Sequence, residues 1–287
     1  MGYVFRPEDA RRYHEWFLRE PGRTAFLIEK EVLSRLWSPP SPQRVLEVGC
    51  GTGLFLEWFS EQGHQVTGIE PSSPMLNICR ERLPERISLD RGYAEHLPYE
   101  DNAFDTVALI TTLEFVDDPL QALREASRVA RQTVLVGALN RYSLISGCRY
   151  VERLWKPTVY RHARFFSVFA LHQLAHKAFC GSVPMHWRTC LTLPLSTLKY
   201  FRMVERSRFF QWHPFGHFIA MRIDPRHTMR TVQQPVFSEL PASIGHASIQ
   251  ASCWLLPKRE KLNHGPGEEI RPTHPFRNGE GKLAQPR

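Results

Sequence analysis

The sequence lacks the features that would place it in a membrane or on a secretory route. No part of its 287 residues approaches the roughly 18 consecutive apolar residues of a membrane-spanning helix. The first residues form no signal-peptide pattern, and Arg6 stands where a myristoylation motif needs Ser or Thr. We therefore expect a cytoplasmic protein.

The spacings that would bind a metal are also missing. The six cysteines stand at positions 50, 79, 148, 180, 190 and 253 and form no CxxC pair. Because a chain this large and apolar can build a core without disulfides, we interpret them as mostly buried free thiols. His172 and His176 share one face of a predicted helix, but Gln173 stands where a zinc protease carries its general-base Glu. We predict no metal site.

Acidic residues are scarce in one part of the chain. The net charge is +8, yet the segment 141–230 alone carries fifteen Lys or Arg against three acids. That segment is therefore +12, which leaves −4 for the rest of the chain. A solvated basic face explains this, and so does a surface for an anionic substrate, lipid headgroups or RNA.

Helical and strand patterns alternate along the chain. Two helices are predicted within 8–37, ahead of Pro39. Predicted strands then cover 44–48, 65–69, 86–89, 104–110 and 133–139, with helical patterns at 54–62, 72–83 and 119–131 between them. A helical stretch at 143–182 precedes two late strands, 187–193 and 216–223. This alternation predicts an α/β fold: a doubly wound, Rossmann-like seven-stranded sheet with an N-terminal helical cap and helical insertions after the fifth strand.

The strongest local signal is a glycine-rich turn that joins a strand to a helix. The strand 44–48 runs directly into Gly49, Cys50, Gly51, Thr52 and Gly53. Glycines at such a turn let a ligand approach the backbone closely, although a tight turn without a ligand would have the same pattern. The third glycine comes one residue too early for a dinucleotide fingerprint. No Gly-Lys-Ser/Thr follows, which excludes a P-loop.

Two carboxylates at strand ends indicate the charge of the ligand. Glu47 would repel a phosphate, so it favours a cationic ligand that carries an ammonium and a sulfonium group. Glu70 ends the second strand, at the edge where open α/β sheets bind ligands, and a carboxylate there can accept both hydroxyls of a ribose. The alternative is that Glu70 merely neighbours the cap of the helix that begins after Pro71.

Taken in order, these motifs resemble class I S-adenosylmethionine (SAM)-dependent methyltransferases, especially the branch of the ubiquinone/menaquinone-biosynthesis C-methyltransferases. The resemblance spans residues 44 to about 140. It consists of 45–53 for the first motif, Glu70 for the acid of the second, 72–76 for the following helix start, 94–105 for the third-strand loop, and 112–119 for the segment after the fourth strand.

The resemblance implies a set of residues that bind SAM. Glu47 and the backbone of Gly49 and Gly51 would hold the methionyl part of SAM, and Glu70 would hold its ribose. Met75, Ala94 and Glu95 would contact the adenine, and the backbone of Thr111 would close the pocket. Cys50 and Gly53 complete the glycine-rich turn. Core packing is the alternative role for Met75. Tyr93 departs from the family, which usually has an acid there, so an adenine contact is either lost or replaced by ring stacking.

We divide the chain into a cap (1–40), a methyltransferase domain (41–225) with an acceptor-binding insertion (141–215), and a largely disordered tail (226–287).

The segment 13–17 resembles a cap that forms a lid in part of the family; a helix packed on the sheet is the alternative. Tyr13, His14 and His96 are candidate general bases near the expected pocket mouth, and we assign no catalytic residue.

The acceptor should bind to the insertion and the cap. Aromatic residues and arginines alternate in 142–166. This mixture suits a small hydrophobic or anionic molecule with an acidic or phenolic group, taken from a membrane surface by peripheral contact. The same mixture suits RNA, and a non-catalytic cofactor-binding scaffold is a further alternative. We expect the small molecule and not a nucleic acid, because the resemblance favours it and no RNA-binding module is attached.

Overall fold

The computed structural model describes residues 2–147, 161–179 and 183–225. The described chain begins with two helices, α1 (Pro7–Leu18) and α2 (Gly22–Leu36), as the sequence predicts. Helix α2 buries its apolar stripe, including Ile28 and Val32, against the sheet that follows.

Seven strands form one sheet. They are β1 (Arg44–Val48), β2 (Gln65–Ile69), β3 (Ser88–Asp90), β4 (Phe104–Ile110), β5 (Ala130–Leu139), β6 (Met185–Cys190) and β7 (Phe218–Ile223). Their order is β3-β2-β1-β4-β5-β7-β6. Strands β1 to β5 are parallel, whereas β7 is antiparallel to both β5 and β6. The predicted seven-stranded α/β fold is confirmed.

Three helices connect the parallel strands. They are α3 (Leu54–Glu61), α4 (Ser73–Arg82) and α5 (Pro119–Val129). The Ser72 hydroxyl accepts the Met75 N–H at the start of α4, and the Asp118 carboxylate accepts two backbone N–H groups at the start of α5. Pro119 occupies the first turn of α5, where its missing N–H costs nothing. Both helix starts lie where the Ser-Pro and Asp-Pro patterns predict.

The sheet is covered on both faces, as a doubly wound fold requires. Val45 and Ala108 belong to the core beneath α2 and α3, while their strand neighbours Leu46 and Leu109 belong to the core beneath α5. Successive residues of a strand point to opposite faces, so these strands are apolar along their whole length.

The helix predicted over 143–182 is confirmed only in part. Residues 144–147 are helical, whereas residues 163–167 are not, and Phe166 bridges to Asn140 at the end of β5. The Phe166 N–H donates to Leu139 O and the Arg141 N–H donates to Phe166 O. Pairing with the strand end thus prevails over helical periodicity, and α6 (Val168–Ala178) begins only after its cap, Ser167.

The connection between β6 and β7 holds a 3-10 turn (Leu195–Thr197), α7 (Leu198–Glu205) and α8 (Arg208–Gln211). With α6 these are the helical insertions expected after the fifth strand. No helix within the described ranges is long and apolar enough to cross a bilayer. The predicted tail, 226–287, and the middle of the predicted insertion helix, 148–160, lie outside the described residues.

Candidate active site

The glycine-rich turn lies at the carboxyl edge of the parallel strands. Gly49 and Gly51 have positive φ angles of 71° and 55°, which L-residues with a side chain rarely adopt. A Cβ on Gly49 would lie 2.5 Å from Thr112 Cγ2, so that position has no room for a side chain. A Cβ on Gly51 would meet only Met75 Sδ at 3.4 Å and Tyr13 Cε1 at 3.9 Å. Gly51 therefore borders open space.

Glu70 joins this turn to the start of α4. Its Oε2 accepts the Gly51 N–H at 3.1 Å, and its Oε1 accepts the Ser72 N–H at 2.9 Å. Burial raises the pKa of Glu70 to about 7, although the two backbone N–H groups favour its ionised form. The carboxylate thus fixes the turn and titrates close to neutrality.

Glu47 lies in β1, two residues before Gly49. Its carboxylate is buried, and Oε2 has no hydrogen-bond partner within the described residues. Burial, followed by the nearby Cys79 and Glu70, raises the pKa of Glu47 well above its ordinary value, while the Leu56 N–H favours the ionised form. A cationic group bound near this carboxyl would favour its ionised form.

A cavity of about 450 Å³ opens above the turn. The sequence-predicted residues that line it are Gly49, Gly51, Glu70, Met75, Ala94, Glu95 and Thr111. Glu47, Cys50 and Gly53 do not line it. The Cys50 thiol is buried against Cys79, and Gly53 caps α3. The structure therefore brings seven of the ten predicted residues together around one space.

The cavity wall carries charge of one sign. Its acidic residues are Glu70, Glu95, Asp117 and Asp118. None of the described residues that line it is Lys or Arg. Such a wall attracts a cation and repels a phosphate.

An N-terminal segment, residues 2–5, covers one side of the cavity and was missed in the sequence. The Tyr3 N–H donates to Phe115 O at 2.8 Å, and the Ser72 hydroxyl donates to Phe5 O at 2.7 Å. These bonds hold an extended stretch that has no periodic pattern. Tyr13, on α1, also lines the cavity, consistent with the expected lid. In the sequence, only the two aromatic residues within 2–5 could have indicated that this segment contributes to the cavity.

The other candidate bases differ in position. His96 lines the cavity and His14 does not. Burial, with a further contribution from Arg82, lowers the pKa of His14. Tyr93, the departure from the family pattern, lines the cavity and is exposed.

A second cavity of about 350 Å³ adjoins the first. Both are bordered by Gly2 to Val4 and by Phe115 to Asp117. Arg6, His162 and Arg164 lie on its wall together with Glu114. Glu114 accepts the Leu139 N–H through Oε1, and burial raises its pKa to about 8. At neutral pH Glu114 is therefore mostly uncharged, which leaves Arg6 and Arg164 with one other acid, Asp117, on that wall.

Within the described residues, no three His, Cys, Asp or Glu side chains form a cluster able to hold a metal ion. His172 and His176 stack edge-to-face on α6, with ring centroids 4.5 Å apart. Burial, followed by the neighbouring His176, lowers the pKa of His172.

Comparison with known proteins identifies the family. A family model described as a methyltransferase domain matches residues 46–136. A SAM-dependent methyltransferase of Thermotoga maritima, described as a possible histamine N-methyltransferase, is 30% identical with a TM-score of 0.64, over 77% of this chain and 97% of that one. A Methanocaldococcus jannaschii protein is 31% identical over 55% of this chain and 72% of its own length. A demethylmenaquinone methyltransferase of Renibacterium salmoninarum is 38% identical over 31% of this chain and 37% of that protein.

The Thermotoga protein is matched over nearly its whole length. The chain therefore belongs to the SAM-dependent methyltransferases, and SAM is its cofactor.

Proposed function

We propose that the acidic cavity binds SAM and that the enzyme methylates a small hydrophobic molecule with an acidic or phenolic group. The observation that carries this proposal is the cavity wall, with four acids and no basic residue among the described lining. That charge suits a cofactor bearing an ammonium and a sulfonium group. It does not suit the pyrophosphate of a dinucleotide.

In this proposal Glu47 and the backbone of Gly49 and Gly51 hold the methionyl part, and Glu70 holds the ribose hydroxyls. Met75, Ala94 and Glu95 surround the adenine, and the backbone of Thr111 closes the pocket. The unpartnered Oε2 of Glu47 and the open space beside Gly51 support this assignment. SAM supplies the electrophilic methyl group.

The protein's own contribution is alignment and exclusion of water. The segment 2–5 and Tyr13 line the cavity, and hydrogen bonds of Tyr3 to Phe115 O and of Phe5 O to the Ser72 hydroxyl hold the segment in place. Holding two reactants in line can lower a barrier by roughly 7–11 kcal/mol. A covered cavity of this kind admits a small acceptor more readily than a folded RNA or protein.

We place the acceptor in the second cavity. Arg6 and Arg164 suit its acidic or phenolic group, since a guanidinium binds an oxyanion through charge-assisted hydrogen bonds. Tyr3 and Phe115, which both line this cavity with ring centroids 6.2 Å apart, offer its apolar part an aromatic wall. The demethylmenaquinone methyltransferase among the relatives also favours a small-molecule acceptor.

Acceptor class is tested by measuring the demethylated cofactor formed with a panel of hydroquinones and aromatic carboxylic acids, and with RNA. We expect turnover with members of the first group and none with RNA. Arg164→Ala should raise KM for the best acidic acceptor about tenfold, because a charge-assisted hydrogen bond contributes about 1.5–3 kcal/mol. Arg161→Ala, an exposed arginine outside the cavity wall, is the matched control. Turnover confined to RNA would overturn the assignment.

Cofactor affinity should depend on pH through Glu70. Because its pKa is about 7 and only the ionised form accepts both ribose hydroxyls, affinity should rise with pH. Between about pH 6 and pH 8 the dissociation constant should fall about tenfold, in proportion to the ionised fraction. Calorimetric titration with SAM across this range measures it. Glu70→Gln, which cannot titrate, should lose the dependence; an unchanged slope in that variant would assign it to another group.

A further inference from the structure

The connection between β6 and β7 presents large apolar side chains to solvent. The most exposed are Phe209 (82%), Met203 (77%), Tyr200 (73%) and Trp212 (72%), and they are joined by Phe201 and Phe215. We call these six residues the aromatic surface. They make up an unusual concentration of apolar side chains on a protein exterior, which typically marks an interaction site.

Polar contacts on the inner side hold this connection in place. Buried Glu205 accepts the N–H groups of Thr192 and Leu193 at 2.8 and 2.7 Å. Arg35, on α2, donates to Gln211 Oε1 at 2.8 Å and to Arg206 O at 2.7 Å. The polar groups are thus used internally while the aromatic surface remains outside.

Basic residues predominate in the same stretch of the sequence. Residues 195–216 include four Lys or Arg and a single acid, Glu205, which is buried. Arg206 also pairs with Glu31 of α2 at 2.8 Å. Aromatic residues interspersed with basic ones are typical of segments that lie at the interface of an anionic membrane.

This connection leaves and re-enters the sheet at the edge that carries the cavities. Cys190, at the end of β6, pairs with Phe218, which in turn pairs with Leu139 at the end of β5. Asn140, directly after β5, donates to the carbonyls of Pro214 and Gly216 at 2.6 and 2.8 Å. The aromatic surface is therefore anchored to the carboxyl edge of the sheet.

We propose that the aromatic surface docks on an anionic lipid bilayer. Its aromatic and aliphatic side chains enter the headgroup region, and the net positive charge of the stretch 195–216 attracts it to anionic lipids. The bilayer is then also the source of the hydrophobic acceptor, a consequence that rests on the proposed function. The docking of the surface on a bilayer does not depend on the proposed function.

Flotation of the full chain with vesicles tests this proposal. We expect it to float with phosphatidylcholine vesicles containing phosphatidylglycerol, and to bind pure phosphatidylcholine vesicles about tenfold more weakly, because the anionic surface attracts the basic residues. Added salt should weaken the binding. The double variant Phe209→Ser/Trp212→Ser should lower affinity for the anionic vesicles about tenfold, since two aromatic side chains no longer insert.

The matched control is Phe169→Ser, which removes an equally exposed aromatic residue (70%) on α6, outside the aromatic surface. It should float like the wild type. Failure of the wild type to float, or equal losses in both variants, overturns the proposal. A dimer at micromolar concentration that the double variant abolishes would assign the surface to a second copy instead. SAM titration without vesicles, expected to be the same in all variants, keeps this result separate from the proposed function.

Discussion

Replacing Glu70 by alanine should weaken SAM binding at least about a hundredfold. The change removes the acceptors of the Gly51 and Ser72 N–H groups, and with them the contact proposed for the ribose. Hydrogen bonds to a charged group contribute about 1.5–3 kcal/mol each, and about 1.4 kcal/mol corresponds to a tenfold change in affinity. Calorimetric titration with SAM and with its demethylated product measures the loss.

Two further variants make the result specific. Glu61→Ala removes an exposed glutamate at the end of α3 and should bind SAM like the wild type. Glu70→Gln keeps the shape but has one acceptor oxygen, so one of the two backbone N–H groups loses its partner. We expect an intermediate affinity for it. A Glu70→Ala protein that stays folded and binds SAM within about twofold of the wild type would contradict the assignment of Glu70.

The parts of the fold that sequence patterns predict are those with local causes. The Ser-Pro and Asp-Pro helix starts, and the strands that end in Gly49 and Glu70, are specified by residues within a few positions of one another. Two carboxylates at strand ends are enough to predict that an acidic site lies at that edge.

What could not be predicted depends on distant partners. The segment 2–5 is ordered by backbone bonds to Phe115 and Ser72, and no periodicity indicates such contacts. Phe166 lies in a predicted helix but is not helical, because its backbone hydrogen-bonds to the end of β5 instead. Glu47 is located correctly near its strand end, yet the sequence does not reveal that its side chain is buried and does not line the cavity.

Adding a methyl group at Gly51 should separate ligand binding from folding. Gly51→Ala should cost about 1–2 kcal/mol of stability, because alanine is strained at a φ of 55°. Its methyl would point toward Met75 Sδ and Tyr13, on the side where the cavity opens. We therefore expect SAM affinity to fall at least about tenfold, as measured by titration beside urea unfolding of the same protein.

Alanine variants of two other glycines serve as controls for Gly51→Ala. Gly63 has a φ of 84°, and no atom lies within 4 Å of the place that a Cβ would take, so Gly63→Ala should show the backbone strain alone and leave SAM binding intact. Gly49→Ala would bring its methyl to 2.5 Å from Thr112 Cγ2, and Thr112 itself bonds Val48 O at 2.7 Å. Overpacking then adds to strain, for a loss of about 3 kcal/mol. If Gly51→Ala bound SAM as well as Gly63→Ala does, the cofactor could not lie against this turn.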